Sequence, residues 1–190
     1  MPIFLSPNLG LTYSEAIAEA YASAPEDTII LHTLEFRHPT FIDPDTLNEI
    51  GLRVVNDHEF LLATLESTAP LNPSQEVRFE PVRFEFTRPP ESDAAATPEV
   101  EITVSNVSRI LIPSLDTAKD SRIPIEVTYR PYLSTDLTGP HMRPVLTLTL
   151  RNVSCSMTDI SATAGFGDLS NRKFPKTDYT NLKFPGLAAR

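Results

Sequence analysis

The segment QEVRFEPVRFEFTRPP constrains the fold of this chain more than any other stretch. Val77 and Phe79 alternate with charged residues, as a strand with one buried face requires. Pro81 then shifts the parity, so that the apolar set continues at Val82, Phe84 and Phe86. A one-residue slip turns every strand side chain to the other face, so a strand cannot absorb it silently. A shift placed at a proline marks a β-bulge or a corner between two strands. The charged residues Arg78, Glu80, Arg83 and Glu85 read as a solvated face with cross-strand pairing.

Further segments follow the same alternation. TIILHTLEFRH, 28–38, is rich in β-branched and aromatic residues, with Ile30, His32, Leu34 and Phe36 on one parity. It reads as a central strand covered on both faces at its start and half exposed later. LRVVNDHEFLLATLE reads as a hairpin turning at Asn56-Asp57, with a helical turn as the alternative for its second half. VEITVSN, PIEVTYRPY, VLTLTLRNVS and MTDISATAGF are strands. Their inward faces fall at Val100, Ile102 and Val104; Ile125, Val127 and Tyr129; Leu146, Leu148 and Leu150; and Ile160, Ala162 and Ala164.

Two helices are expected. The first spans 13–23, with Thr12 and Glu15 at capping-box spacing and a stripe of Ala16, Ile17, Ala20 and Tyr21. The second runs from a cap at Asn106 through Val107, Ile110, Leu111 and Leu115. Pro113 kinks it or makes it begin afresh, because an interior proline costs about 3 kcal/mol. The fold class is mainly β: an antiparallel β-sandwich or barrel-like domain with one or two short helices and an extended C-terminal arm. The expected organisation is an N-terminal segment 1–12, a β-rich domain 13–167 and the arm 168–190.

Eighteen prolines against six glycines fit such a body, since proline belongs in loops, at strand edges and at element ends. The net charge of −9 and the lack of any basic run exclude non-specific nucleic-acid binding. A single cysteine, Cys155, excludes an internal disulfide and a multi-cysteine zinc site, and reads as a buried structural thiol. MPIFLSPNLG has neither the positive start nor the apolar length of a signal peptide. No membrane insertion is expected.

The residue patterns assemble no catalytic set. His32 and His38 share a strand parity about 20 Å apart, too far to ligate one metal. His58 falls in a turn and His141 in a Gly-Pro loop. The carboxylates show no acid–base spacing, and Gly165-Phe166-Gly167 lacks the third glycine of a phosphate loop. The expectation is therefore no enzyme, no cofactor and no metal. What remains is the C-terminal stretch, where two Phe-Pro pairs stand ten residues apart in a segment with little apolar periodicity. Such a segment cannot bury its own rings. Phe174, Pro175, Tyr179, Phe184 and Pro185 are the candidate interface residues, docking on the chain's own body or on a neighbouring subunit.

Several strings taken together resemble an uncharacterised tail-protein family of long-tailed bacteriophages (siphophages). They are SEAIAEAYASAPEDTIILHTLEFRHPTF, LRVVNDHEFLLATLESTAP, EVTYRPYLS and FGDLSNRKFPKTDYTNLKFPGL, which span nearly the whole chain. In size and strand content the chain is similar, by a looser analogy, to distal tail proteins and the lambda-type minor tail protein. The resemblance implies a virion structural protein of the tail, made in the bacterial host cytoplasm, and the analogy implies a ring-forming connector near the tail tip. Its partners would be other copies of itself in a ring, with a hexamer the favoured form, and the tail tube, tail tip or hub, or tape-measure proteins. The alternatives are a receptor- or glycan-binding module of the tip and an assembly factor absent from the mature virion.

Overall fold

The computed structural model describes residues 12–23, 28–87, 99–105, 112–118, 121–156 and 159–165. In chain order these form β1 (Thr12–Tyr13), α1 (Glu15–Ser23), β2 (Ile30–Arg37), β3 (Leu52–Val55), β4 (Leu61–Thr64), β5 (Glu76–Pro81) and β6 (Phe84–Thr87). There follow β7 (Glu99–Ser105), α2 (Ile112–Ala118), β8 (Glu126–Leu133), β9 (Met142–Arg143), β10 (Leu146–Cys155) and β11 (Asp159–Gly165). The protein is mainly β. Nine strands make one sheet in the order β4-β5-β3-β2-β8-β10-β11-β7-β6, and β1 pairs with β9 in a separate ribbon. The sheet is mixed: β3 and β5 run parallel, and the other neighbours antiparallel.

The parity shift at Pro81 is a corner. Val77 and Phe79 on β5 point into one core, whereas Val82 and Phe84 point into another. The Val82 N–H donates to the Val55 carbonyl at 3.0 Å, and the chain then leaves for the far end of the sheet. The sheet coils enough to bring that far end back. Phe86 on β6 lies flat on Tyr129 of β8, with ring centroids 4.8 Å apart and planes 8° from parallel, although β10, β11 and β7 separate the two strands in the sheet. The Phe84 N–H also reaches Asn56 Oδ1, just beyond β3, at 3.4 Å.

The concave side holds the main core, built from Leu34, Phe36, Val54, Val127, Tyr129 and the inward faces of β7, β10 and β11. Helix α2 covers it with Leu115 and Ala118. It starts at Ile112 with Pro113 second, where a missing N–H costs nothing. The expected cap and first turn, from Asn106 to Leu111, lie outside the described residues, as do residues 88–98. The side chain of Cys155 does too. A second core of Leu31, Val55, Leu61, Ala63, Leu65, Ala69, Val77, Phe79 and Tyr132 covers the opposite face of β2 and β8. A third, small contact seats Ile17 and Ala20 of α1 on Leu133.

Four sequence expectations change. The segment 52–66 is not a hairpin, because β5 inserts between β3 and β4 and pairs with both. Ser14, not Thr12, caps α1: the Ile17 N–H reaches Ser14 Oγ at 3.4 Å, and only Ile17 and Ala20 of the expected stripe are buried. Arg78 and Glu80 pair along the outer face of β5 at 2.9 Å rather than across strands. Finally, β2 stays covered through Phe36, with Glu35 fully buried. Glu35 lies in the part of the strand expected to be half exposed, and its burial follows from its partners.

Candidate functional site

Glu35 is buried because it is one member of a closed ionic group. On β2 it stands opposite Arg53 of β3, and its neighbour Thr33 stands opposite Arg130 of β8, so both guanidiniums share its face. Arg53 Nε donates to Glu35 Oε1 at 2.8 Å and Arg130 Nη1 to Oε2 at 2.7 Å. Arg130 also forks onto Glu66, just past β4, through Nε at 2.7 Å and Nη2 at 2.8 Å. Arg53 Nη2 donates to Asn72 Oδ1 at 2.9 Å. Two cations and two anions cancel, and both Glu35 oxygens are occupied. Burial alone would push the Arg130 pKa down, but Glu66 and Glu35 outweigh it and hold the guanidinium above its ordinary value. Gly51 completes the arrangement. A Cβ there would run into Glu35 Oε1, which its two arginines prevent from moving aside.

This group ties the 65–75 segment to the two central strands. Tyr132 adds to the tie by donating its hydroxyl to the Thr64 carbonyl at 3.0 Å. Burial, first of all, pushes the Tyr132 phenol far above the ordinary tyrosine value. A raised folded pKa means that the folded state keeps a proton that the unfolded chain gives up. The contribution is therefore intact below about pH 10 and is lost as the pH rises above it. Ultraviolet titration should show Tyr132 ionising only together with unfolding, and Tyr132→Phe should flatten the alkaline decline of the urea midpoint.

A second cluster is open to solvent. The ribbon of β1 and β9 continues one step further, with the Ser14 N–H donating to the His141 carbonyl at 2.8 Å. The His141 N–H in turn donates to the Pro131 carbonyl of β8 at 2.9 Å, so the His141 backbone is held from both sides. Ser14 Oγ lies 3.0 Å from His141 Nδ1. His141 Nε2 lies 3.3 Å from the Asp136 carbonyl oxygen and 3.5 Å from its carboxylate Oδ2. Both Asp136 atoms are acceptors, which places the ring proton on Nε2 and leaves the Nδ1 lone pair for the Ser14 hydroxyl. Asp136 is fixed by Thr138, whose hydroxyl and N–H donate to Oδ1 at 2.6 Å and 3.0 Å. These two bonds, the hydroxyl's first, hold the Asp136 carboxyl below its usual range. The cluster lines a cleft of about 270 Å3.

Sequence reasoning left His141 in a loop and did not single out Ser14. Two signals were present: a serine immediately before a helix, and Asp136 two residues before Thr138, the spacing of a side-chain-capped turn. The other histidines stand apart from this cleft. His32 Nδ1 meets the Tyr129 hydroxyl at 2.7 Å, and His38 is buried, with Nε2 on the Ile123 carbonyl at 3.0 Å. His58 is exposed beyond β3. Among the described residues, no group of three or more His, Cys, Asp or Glu residues could hold a metal ion. None of the helices described is long and apolar enough to cross a membrane.

The described surface also carries an apolar edge. Leu62 on β4 and the preceding Phe60 are 45% and 52% exposed, and the Arg78 guanidinium sits 4.5 Å from the Phe60 ring centre. The expected interface residues Phe174, Pro175, Tyr179, Phe184 and Pro185 lie outside the described residues.

Residues 16–179 match a domain of unknown function, DUF1833. The chain belongs to this family. Among curated proteins, none matches it. The DUF1833 match takes in both central strands, all four members of the ionic group, and Asp136 and His141. Ser14 lies just ahead of it.

Proposed function

We propose that this DUF1833 chain is a structural component of a long-tailed bacteriophage tail, a ring-forming connector near the tail tip. The sequence resemblance supports the tail, and the edge strand β4 supports the ring. Thr64 turns its N–H away from β5 toward the Leu137 carbonyl at 2.9 Å. Leu62 shares its parity, so its N–H and C=O face out from the end of the sheet. An outward backbone pair flanked by Phe60, Leu62 and Arg78 is the kind of edge on which a neighbouring chain adds a strand. One edge meeting a different surface of the next copy is a heterologous contact, which closes into a ring when the rotation allows.

Light scattering of the purified protein, with negative-stain images of the same fraction, should show a closed ring. Leu62→Lys combined with Phe60→Glu should release monomers, while the urea midpoint moves little, because exposed substitutions stay within about 0.5 kcal/mol. Mass spectrometry of purified virions should find the chain. Its absence from virions would overturn the assignment in favour of an assembly factor.

A further inference from the structure

We propose that Ser14 is an activated nucleophile and that the cleft around it cleaves esters of short acyl groups. The inference does not rest on the tail assignment. It rests on the placement of three groups from distant parts of the chain: a hydroxyl 3.0 Å from an imidazole nitrogen, and that imidazole anchored through its other nitrogen on Asp136 at 3.3 Å and 3.5 Å. Nucleophile, base and orienting group within hydrogen-bond reach are what acyl transfer requires, whichever ring nitrogen faces the serine.

The Ser14 oxygen is prepared on both sides. Its lone pair accepts the weak capping bond from the Ile17 N–H at 3.4 Å, which leaves its proton directed at His141 Nδ1. It stands at the start of the nine-residue helix α1. The Glu15 and Ala16 N–H groups there have no partner inside the helix, and the helix dipole is positive at that end. They belong to the two residues that follow Ser14 and are the backbone donors available to an oxyanion there. His141 is held at backbone and side chain, and its side chain keeps only 12% of its exposure. Swinging the ring away would break its Nε2 contacts with Asp136 and its Nδ1 contact with Ser14.

The step balances without any co-reactant except water. Ser14 Oγ attacks the ester carbonyl as its proton passes to His141 Nδ1, while Asp136 holds the Nε2–H. The carbon–oxygen bond to the leaving alcohol breaks, and His141 returns the proton to that oxygen. A water molecule then attacks the acyl group on Ser14, passing a proton through His141 back to Oγ, and a carboxylic acid departs. The cleft beside Ser14 has a volume of about 270 Å3. It falls just below the span of about 300–1,000 Å3 typical of pockets for drug-sized ligands, so it seats a short acyl group.

A fluorophosphonate is the direct probe, because it bonds to an activated serine oxygen with loss of fluoride. The folded full-length chain should take up one label, mapped by peptide mass spectrometry to Ser14, and should release 4-nitrophenolate from 4-nitrophenyl acetate. Ser14→Asn keeps a good helix cap and removes the nucleophile, so labelling and release should vanish with unchanged circular dichroism. His141→Gln should slow labelling about 100-fold or more, the range of general-base assistance. If the wild-type chain labels no faster than its urea-denatured form, or labels on another residue, the proposal fails. It fails equally if His141→Gln labels at the wild-type rate, which would reduce the cluster to a cap and a loop tether.

Discussion

Replacing Arg130 with methionine is expected to lower the unfolding free energy by about 3–5 kcal/mol, the usual cost of breaking a buried pair from one side. The loss comes less from the missing attraction than from what stays behind. Glu35 is fully buried, and without Arg130 its Oε2 faces only the second core. Arg53 still holds Oε1 at 2.8 Å, which keeps the penalty from rising further. Glu66, with 14% of its side chain exposed, can turn to water but takes the 65–75 segment with it. Removing all four charges together tests this account. Arg130→Met combined with Glu35→Met, Glu66→Met and Arg53→Met leaves no member of the group unpaired, and it should recover much of the stability that the single change loses. Urea midpoints of the two variants provide the comparison. A quadruple variant no more stable than Arg130→Met would mean that the ion pairs themselves, rather than the desolvated carboxylate, carry the energy.

The same residues show where sequence reasoning stops. Alternation located β2, β5, β7, β8, β10 and β11, because strands with an apolar face must repeat at every second residue. It also placed the corner at Pro81. It did not find the ionic group of Glu35, Arg53, Arg130 and Glu66, since a pattern of polarity carries no information about which charges will meet. The pairing of β5 with β3 and β4 was hidden for a related reason. Neighbours in sequence are the default neighbours in a sheet, and nothing local in Asn56-Asp57 announces that another strand will slide between. The Ser14, Asp136 and His141 cluster was the least legible feature. Its members are brought together by the β1–β9 ribbon, and two residues give no periodicity to read.

Phe79→Ala should cost about 3–5 kcal/mol, as large-to-small changes at buried aromatics do. Phe79 is fully buried and meets Tyr132 edge-on, with centroids 6.0 Å apart. The more informative outcome is the shape of the transition. Tyr132 alternates along β8 with Tyr129, so one strand carries side chains into both the second core and the main core. Arg130, between them, fixes that strand to the segment covering the second core through Glu66. A cavity under Phe79 therefore cannot loosen the second core without loosening β8. The urea curve of Phe79→Ala should shift as a single transition with its slope kept, as it does when stability changes without a change in cooperativity. Two separated transitions would mean that β4, β5 and the 65–75 segment open by themselves. The strand edge proposed for ring contacts would then belong to a unit that rearranges on assembly, and the ionic group would be its hinge rather than its anchor.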